Sequence, residues 1–256
     1  MAHLIGVVGV PGSGKSFLAR SAAKAGETHV AIIDPKEEAF YASSGCKVEL
    51  ITDLDWRPHL REFNATGYLR LLKWLDARAK DASKFIVIDP MSEASDLILH
   101  EVLKVHQTND PSDLDHGRAY TGHDQKVFSE LLIELRRLHA RGKTVIATFH
   151  AAMKELEGAG DATKQKAMSG QVEWKFDDQL LPAMNSSKTR QRVSSPFDLW
   201  LYTKPQGFGP GRKFYVTAIA DQVRPAKHSV TFKAGVNPAL LPNTIKDLLA
   251  AIEEPK

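Results

Sequence analysis

The sequence predicts an α/β fold with a mostly parallel central sheet and helices on both of its faces. Two observations support this prediction. Short apolar runs rich in β-branched residues recur along the first 150 residues, and a helical pattern separates each run from the next. Strands that are buried on both faces have this continuous apolar character, and the helices that connect them cover the sheet. After residue 150 the alternation changes, and an antiparallel pair is predicted near the C-terminal edge.

Strands and helices are predicted to alternate through the first 150 residues. Turn-forming residues end the apolar runs, such as Pro11 and Gly12 after the first run and Pro90 after the third. The polar stretch 107–123 is predicted to be a loop. The predicted strands are residues 4–10, 30–33, 84–89 and 144–149, and the predicted helices are residues 16–25, 66–80, 92–105 and 127–141.

The last hundred residues are predicted to form a loop, edge strands and a terminal helix. Residues 151–170 are rich in Lys, Gly and small side chains, a composition typical of a mobile loop. Residues 199–203 and 213–218 alternate well enough to form the antiparallel pair. Residues 245–252 have the pattern of a short amphipathic helix.

The composition excludes several classes of protein. Hydrophobic residues make up 43% and charged residues 25% of the 256 residues, which excludes collagen-like and disordered chains. No apolar run approaches the roughly 18 residues that a membrane helix needs, so we expect a cytoplasmic protein with no membrane partner. The single cysteine, Cys46, excludes an internal disulfide framework. A formal net charge of +3 is too small to establish nucleic-acid binding by itself.

The strongest motif is G-x-x-x-x-G-K-[ST], which spans residues 9–16. It follows an apolar strand and opens a helix, so the backbone N–H groups of the loop converge on one phosphate chain. Lys15 is expected to reach the β- and γ-phosphates of ATP, and the Ser16 hydroxyl is expected to coordinate Mg²⁺. The predicted nucleotide-binding residues are Gly9, Val10, Pro11, Gly12, Ser13, Gly14, Lys15, Ser16 and Phe17.

Asp89 is the predicted second protein ligand of the magnesium ion. It ends the apolar run 85–89, and ligands of open parallel sheets bind at the carboxyl ends of the strands. An aspartate at a strand end also serves ordinary turns. The presence of the glycine loop favours the role in Mg²⁺ binding.

These motifs together resemble the RecA/RadA-like ATPases, and in particular the compact phage-type AAA-like or single-strand annealing ATPases. The resemblance is carried by residues 9–16, 30–42, 85–93 and 141–150. It implies one RecA-like P-loop domain over residues 1–256, with a nucleotide-binding core at 1–150. It also implies Mg²⁺-dependent ATP hydrolysis, action on single-stranded DNA and assembly into a ring or filament, in the host cytoplasm if the chain is phage-encoded.

The residue that activates the attacking water is not fixed by the resemblance. RecA-like enzymes carry this carboxylate two residues after the aspartate of the second strand, where this chain has Lys36. The candidates are Glu37, Glu38 and Glu93, because hydrolysis needs a base to accept the proton of the water. Glu37 and Glu38 are equally typical of solvated residues at a helix start.

His150 ends the fourth strand, where the resemblance implies a polar sensor of the γ-phosphate. The loop after it would bind DNA through Lys154, Lys164, Lys166, Trp174 and Lys175, although acidic residues interleave with these lysines. A second basic cluster, residues 188–192, is typical of a nucleic-acid contact, of an arginine donated to a neighbour's ATP, or of a solvated loop.

The sequence favours a Mg²⁺-dependent ATPase that acts on single-stranded DNA in recombination or annealing. Two alternative functions remain consistent with the sequence. A small-molecule kinase shares the glycine loop and adds an arginine-bearing lid. A nucleotide-gated loader or packaging module binds ATP and hydrolyses it feebly, which the displaced glutamate would allow.

Overall fold

The computed structural model describes residues 1–53, 55–153, 180–206, 213–220 and 224–253. Most of the strands join one sheet, and a separate small hairpin is formed by β4 (Trp56–Arg57) and β5 (Glu62–Phe63). The strands of the main sheet are β1 (Leu4–Gly9), β2 (Thr28–Ile32), β3 (Lys47–Leu50), β6 (Phe85–Asp89), β7 (Thr144–Met153), β8 (Leu180–Pro182), β9 (Leu199–Gln206), β10 (Lys213–Thr217), β11 (Lys227–His228) and β12 (Leu241–Pro242).

The helices connect the strands and cover both faces of the sheet. A 3₁₀ turn spans Pro35–Glu37, and a π-helical turn spans Val127–Leu131. The α-helices are α1 (Lys15–Arg20), α2 (Glu38–Ala42), α3 (Gly67–Arg78), α4 (Met91–His106), α5 (Arg118–Lys126), α6 (Leu132–Ala140), α7 (Ser187–Arg192) and α8 (Ile245–Ala250).

The strand order confirms the predicted fold class. The sheet runs β12-β10-β9-β1-β7-β6-β2-β3, and the six strands from β9 to β3 are parallel. The antiparallel pair formed by β9 and β10 lies toward the C-terminal edge, as predicted. Because β7 lies between β1 and β6, the residues that end these three strands meet at one edge of the sheet.

Two apolar cores lie on the opposite faces of the sheet. Helices α3, α4 and α6 pack on one face with Trp200 and Phe149, and helices α1 and α8 pack on the other with Leu18 and Ile245. The burial of strands β1, β2 and β6 is complete along their length, which explains their continuous apolar sequences.

The prediction of a loop over residues 107–123 was wrong in its last third. Helix α5 begins at Arg118, and its buried His123 and Asp124 bond to Ser95 and Thr189. A polar helix that buries hydrogen-bonded side chains has no apolar stripe for the sequence to reveal.

The helices do not bury all of their apolar side chains. Leu69 of α3 and Val105 of α4 are exposed, whereas the buried face of α3 includes Tyr68 and Leu71. The helix predicted over residues 127–141 begins as a π-turn and becomes α-helical only at Leu132. The described residues contain no helix that is both long and apolar enough to cross a membrane.

Candidate nucleotide site

The glycine loop lies between the end of β1 and the start of α1. Gly12 and Gly14 have φ angles of 69° and 95°, a region that side chains other than glycine rarely adopt. A Cβ atom added to Gly14 would lie 2.9 Å from the Phe214 ring and 2.8 Å from the amide nitrogen of Asn243. The conformation and the packing therefore both require glycine at position 14.

Lys15 is held inside the loop with its ammonium group beside the backbone. Only 6% of the residue is exposed, and Nζ donates a hydrogen bond to the Val10 carbonyl at 3.0 Å. Burial lowers the pKa of Lys15, whereas the nearby carboxylates of Asp89 and Glu37 raise it. The buried hydroxyl of Ser13 has no hydrogen-bond partner among the described residues. Both polar groups suit a loop that binds an anion, since a phosphate would supply the missing acceptors.

A cavity of about 640 Å³ opens at the loop and brings the predicted site residues together. Residues 11–17 form one wall. The opposite wall carries residues from three strand ends or the turns after them, namely Asp34, Lys36, Glu37, Asp89 and His150. The pairing of Gly9 with His150, and of Ile32 with Asp89, explains this convergence across the sheet.

Two hydroxyl groups hold the carboxylate of Asp89. Tyr41 donates to Oδ2 and Thr148 donates to Oδ1, and all three residues are buried. Burial raises the pKa of Tyr41 well above its usual range, and the charge of Asp89 raises it further. The phenol therefore stays a hydrogen-bond donor to the carboxylate at neutral pH.

The oxygen atoms at this position fit a magnesium ion. The Tyr41 hydroxyl interacts with the side chains of both Asp89 and Ser16, so these two predicted ligands lie around one point. Hydroxyl and carboxylate oxygens are the hard donors that Mg²⁺ prefers, and its remaining positions go to water and phosphate oxygens. The described residues contain no cluster of three His, Cys, Asp or Glu side chains able to hold a metal alone.

The three candidate bases occupy different positions. Glu37 lines the cavity, and burial, followed by the charges of Asp89 and Asp34, raises its pKa. Glu38 is exposed at the start of α2 and does not line the cavity. Glu93 lies outside the cavity wall, with its carboxylate 3.8 Å from Nε2 of His150.

Among the acidic side chains near the site, Glu93 has the most strongly shifted pKa. Burial raises its pKa to about 7, and the charges of Asp34, Asp96 and Asp89 act in the same direction. It is therefore largely protonated below neutral pH, when it can donate a hydrogen bond rather than accept a proton.

His150 lies at the cavity, in the position predicted for a sensor. Its backbone N–H donates to the Ser92 hydroxyl at 2.9 Å, and its carbonyl accepts from the N–H of Ala183 at 2.7 Å. Burial and the charge of Lys15 lower the pKa of the imidazole, so the ring is neutral near pH 7. Its buried Nδ1 has no hydrogen-bond partner within the described part of the chain.

Most of the residues predicted to contact DNA lie outside the part of the chain that the structure describes. Lys154, Lys164, Lys166, Trp174 and Lys175 fall outside the described ranges. The basic cluster 188–192 forms most of α7, although the sequence offered a loop, and Ser186 caps this helix through the Thr189 N–H.

The sequence missed four residues that support the site. Tyr41 and Thr148 hold Asp89, Ser92 holds the backbone of His150, and the Asn243 amide donates to the Gly14 carbonyl at 3.1 Å. Thr148 lies two residues before His150 on a buried strand. A polar residue within such an apolar run is the sequence signal from which its role at the site could have been predicted. The contact of Asn243 spans 229 positions and has no local signature.

The mostly parallel sheet, the glycine loop after β1 and the carboxylate at the end of β6 define a P-loop nucleotide-binding protein of the RecA-like fold. Residues 3–218 match the model of the family described as AAA domain, and the chain belongs to this family. A comparison with curated proteins finds no match.

Two solved structures are weakly similar to this chain. One is a KaiC-like protein from the hyperthermophilic archaeon Pyrococcus horikoshii, with a TM-score of 0.41 and 16% identity, covering 91% of this chain and 86% of that one. The other is the flagellar accessory protein FlaH from Methanocaldococcus jannaschii, with a TM-score of 0.41 and 12% identity, covering 99% and 90%.

Proposed function

We propose that the protein is a Mg²⁺-dependent ATPase that acts on single-stranded DNA, of the recombination or annealing type. The observation that carries the ATPase assignment is the single cavity that joins the glycine loop, Asp89, Glu37 and His150. The membership in the AAA domain family supports nucleotide binding at this loop. The DNA substrate rests on the resemblance of the sequence motifs to single-strand annealing ATPases.

Five side chains at the cavity have roles in the proposed hydrolysis of the β–γ bond. The loop N–H groups and Lys15 bind the phosphates, while Ser16 and Asp89 would hold a magnesium ion, which would supply positive charge to stabilise the phosphate chain. Glu37 accepts the proton of the attacking water, and its raised proton affinity suits this role. His150 contacts the γ-phosphate through its neutral ring.

Assembly into a homo-oligomeric ring or filament is part of the same proposal. No arginine is present among the described residues that line the cavity. A neighbouring subunit that donated an arginine would supply the missing charge for the transition state. The same observation disfavours the small-molecule kinase, which would need an arginine-bearing lid, and the position of Glu37 disfavours feeble hydrolysis.

The decisive experiment measures ATP turnover with Mg²⁺, with and without single-stranded DNA. The proposal expects turnover that DNA stimulates, and no turnover in the Lys15→Ala variant, whose fold is checked by circular dichroism. Turnover that DNA leaves unchanged would remove DNA from the proposal. Absent turnover together with transfer of phosphate to a small molecule would establish the kinase instead.

A further inference from the structure

We propose that a basic groove between α6, α7 and β11 binds the phosphate backbone of single-stranded DNA. This inference rests on the proposed function and gives the DNA a place on the molecule. The groove is a cavity of about 550 Å³ on the face of the sheet that carries α3, α4 and α6. Neither the glycine loop nor any other residue of the nucleotide cavity lines it.

Three cations from three different elements converge on this groove. Arg136 lies on α6, Arg192 ends α7 and Lys227 lies on β11, and no Asp or Glu is among the described lining residues. Neither arginine forms an ion pair within the described part of the chain. Unpaired guanidinium groups that share a cavity repel one another, and an anion between them relieves this repulsion.

Lys227 is the most enclosed of the three cations. Its Nζ donates to the Ser195 carbonyl at 3.3 Å, and burial lowers its pKa while the charge of Asp198 raises it. The Asp198 carboxylate already accepts the Leu4 N–H at 2.8 Å and lies 3.7 Å from the His139 ring. An anionic ligand would therefore meet an ammonium group with no carboxylate bonded to it.

The shape of the groove favours a chain of phosphates over a single ion. A second cavity of about 260 Å³ shares Gln191 and Ser194 with the groove, so the two cavities adjoin. The second cavity adds Arg190, whose Nε donates to the Met184 carbonyl at 2.6 Å, and none of its described lining residues is acidic. Four cations in two adjoining cavities match a repeating backbone charge.

The apolar part of the groove favours nucleic acid with unpaired bases. Phe128, Leu132 and Pro196 line it beside the cations. A single strand presents unpaired bases and sugars to such a surface beside its phosphates, which a run of acidic side chains does not. Phosphate oxygens are also the acceptors that arginine binds in a bidentate manner.

The test removes the three groove charges together as Arg136→Gln, Arg192→Gln and Lys227→Gln in the full-length chain. The matched control removes three exposed lysines on other elements, Lys24→Gln, Lys73→Gln and Lys246→Gln, with the same change of net charge. Affinity for fluorescent oligo-dT is measured by anisotropy between 50 and 200 mM salt, with a non-hydrolysable ATP analogue bound. ATP turnover without DNA is measured in parallel to verify that the nucleotide site is intact.

We expect the groove variant to bind oligo-dT at least about tenfold more weakly at 50 mM salt. Its slope of log affinity against log salt should fall by about 2, since each lost phosphate contact on a single strand contributes about 0.7. The control variant and the parent should have the same affinity for oligo-dT and the same salt slope. Turnover without DNA should be unchanged in the control variant, and the ATP analogue should bind both variants with the parental affinity, because its binding depends on the glycine loop.

The outcomes separate this inference from the proposed function. If the parent binds no oligo-dT in any nucleotide state, the DNA assignment itself fails. If the parent binds and the groove variant keeps the parental affinity and slope, the groove inference alone is wrong. Poly-glutamate of equal charge serves as a competitor beside unlabelled oligo-dT. If poly-glutamate displaces the labelled oligo-dT equally well, the groove is assigned to acidic peptides.

Discussion

At the scale of single residues, the carboxylate of Asp89 is fixed by two hydroxyl donors before any ion binds. Tyr41 and Thr148 each satisfy one oxygen, and the Tyr41 hydroxyl also reaches Ser16. A cation that binds between Ser16 and Asp89 must therefore share these oxygens with a phenol. Tyr41 thus both orients the predicted metal ligand and competes with the metal.

Replacing Tyr41 with Phe should separate these two effects. The change keeps the ring but leaves a buried carboxylate oxygen without its donor, so the nucleotide-free protein should lose about 1.5–3 kcal/mol of unfolding free energy. Mg²⁺ with nucleotide should restore part of this lost stability, because the ion can bind the carboxylate oxygen that the phenol no longer occupies. The ligand should therefore stabilise the variant more than the parent.

Chemical denaturation with and without the ligand measures the unfolding free energy of both proteins, and the exposed Tyr120→Phe is the control. Equal stabilisation of parent and variant by Mg²⁺ with nucleotide would show that Tyr41 does not compete with the metal for Asp89.

Glu37 and Glu38 provide a matched pair for the catalytic base. Glu37 lines the nucleotide cavity and Glu38 is exposed outside it. Glu37→Gln should retain ATP binding and slow hydrolysis by roughly two to four orders of magnitude, the usual contribution of a positioned base. Glu38→Gln should retain turnover. Loss of turnover in Glu93→Gln with normal turnover in Glu37→Gln would instead assign the base to Glu93.

The raised pKa of Glu93 predicts a pH-dependent effect on stability. Its pKa rises from 4.5 to about 7 on folding, so the folded state binds more protons between these values and loses stability as pH rises through them. Gln cannot ionise and is free of this loss. The difference in melting temperature between Glu93→Gln and the parent should therefore grow in favour of the variant from about pH 4.5 to about pH 7. A difference that stays constant across this range would show that burial does not perturb the carboxyl group.

At the scale of elements, the alternation of apolar runs and helices was enough to predict the sheet. Strands β1, β2, β6 and β7 were predicted because each carries a continuous apolar sequence. The short β3 and α7 were missed, since β3 alternates exposed and half-buried residues at the sheet edge and α7 is mostly polar. Edge elements bury too little apolar surface to leave a pattern.

The close contact between β1 and β9 depends on a glycine that the sequence did not single out. Gly6 pairs with Trp200, and a Cβ atom at position 6 would overlap the indole ring. Gly6→Ala should therefore cost about 1–3 kcal/mol of unfolding free energy, the usual cost of overpacking a core. Urea denaturation gives this value.

A double-mutant cycle with Trp200→Leu identifies the cause. Leu at position 200 leaves space for the added methyl group, so the double variant should be less destabilised than the sum of the two single variants. Additive losses would show that the alanine acts on the backbone of β1 rather than on the indole.

At the scale of the whole molecule, hydrogen bonds link His150 to the second cavity beside the basic groove. The His150 carbonyl accepts from the Ala183 N–H, the Met184 carbonyl accepts from Arg190, and the N–H of Asn185 donates to Ser95 of α4 at 3.1 Å. The segment between β8 and α7 therefore contacts both His150 and Arg190, which lines the second cavity.

This connection predicts that the nucleotide state controls DNA affinity. His150 can contact a γ-phosphate in ATP but not in ADP, so the two states should differ in how they hold the β8–α7 segment. A coupling of about 1–3 kcal/mol gives a 5- to 150-fold difference in oligo-dT affinity between an ATP analogue and ADP. His150→Ala should remove most of this difference and preserve ATP binding, which depends on the glycine loop.

The groove variant provides the complementary result for the same coupling. Replacing Arg136, Arg192 and Lys227 with Gln should weaken oligo-dT binding in both nucleotide states. These side chains displace counterions from the DNA whichever nucleotide is bound. The ratio of the two affinities should then persist in the groove variant and collapse in His150→Ala. Anisotropy titrations with each nucleotide measure all four affinities. A ratio that survives His150→Ala unchanged would mean that the γ-phosphate acts on DNA through another residue of the cavity, with Glu37 and Lys36 the next to be replaced.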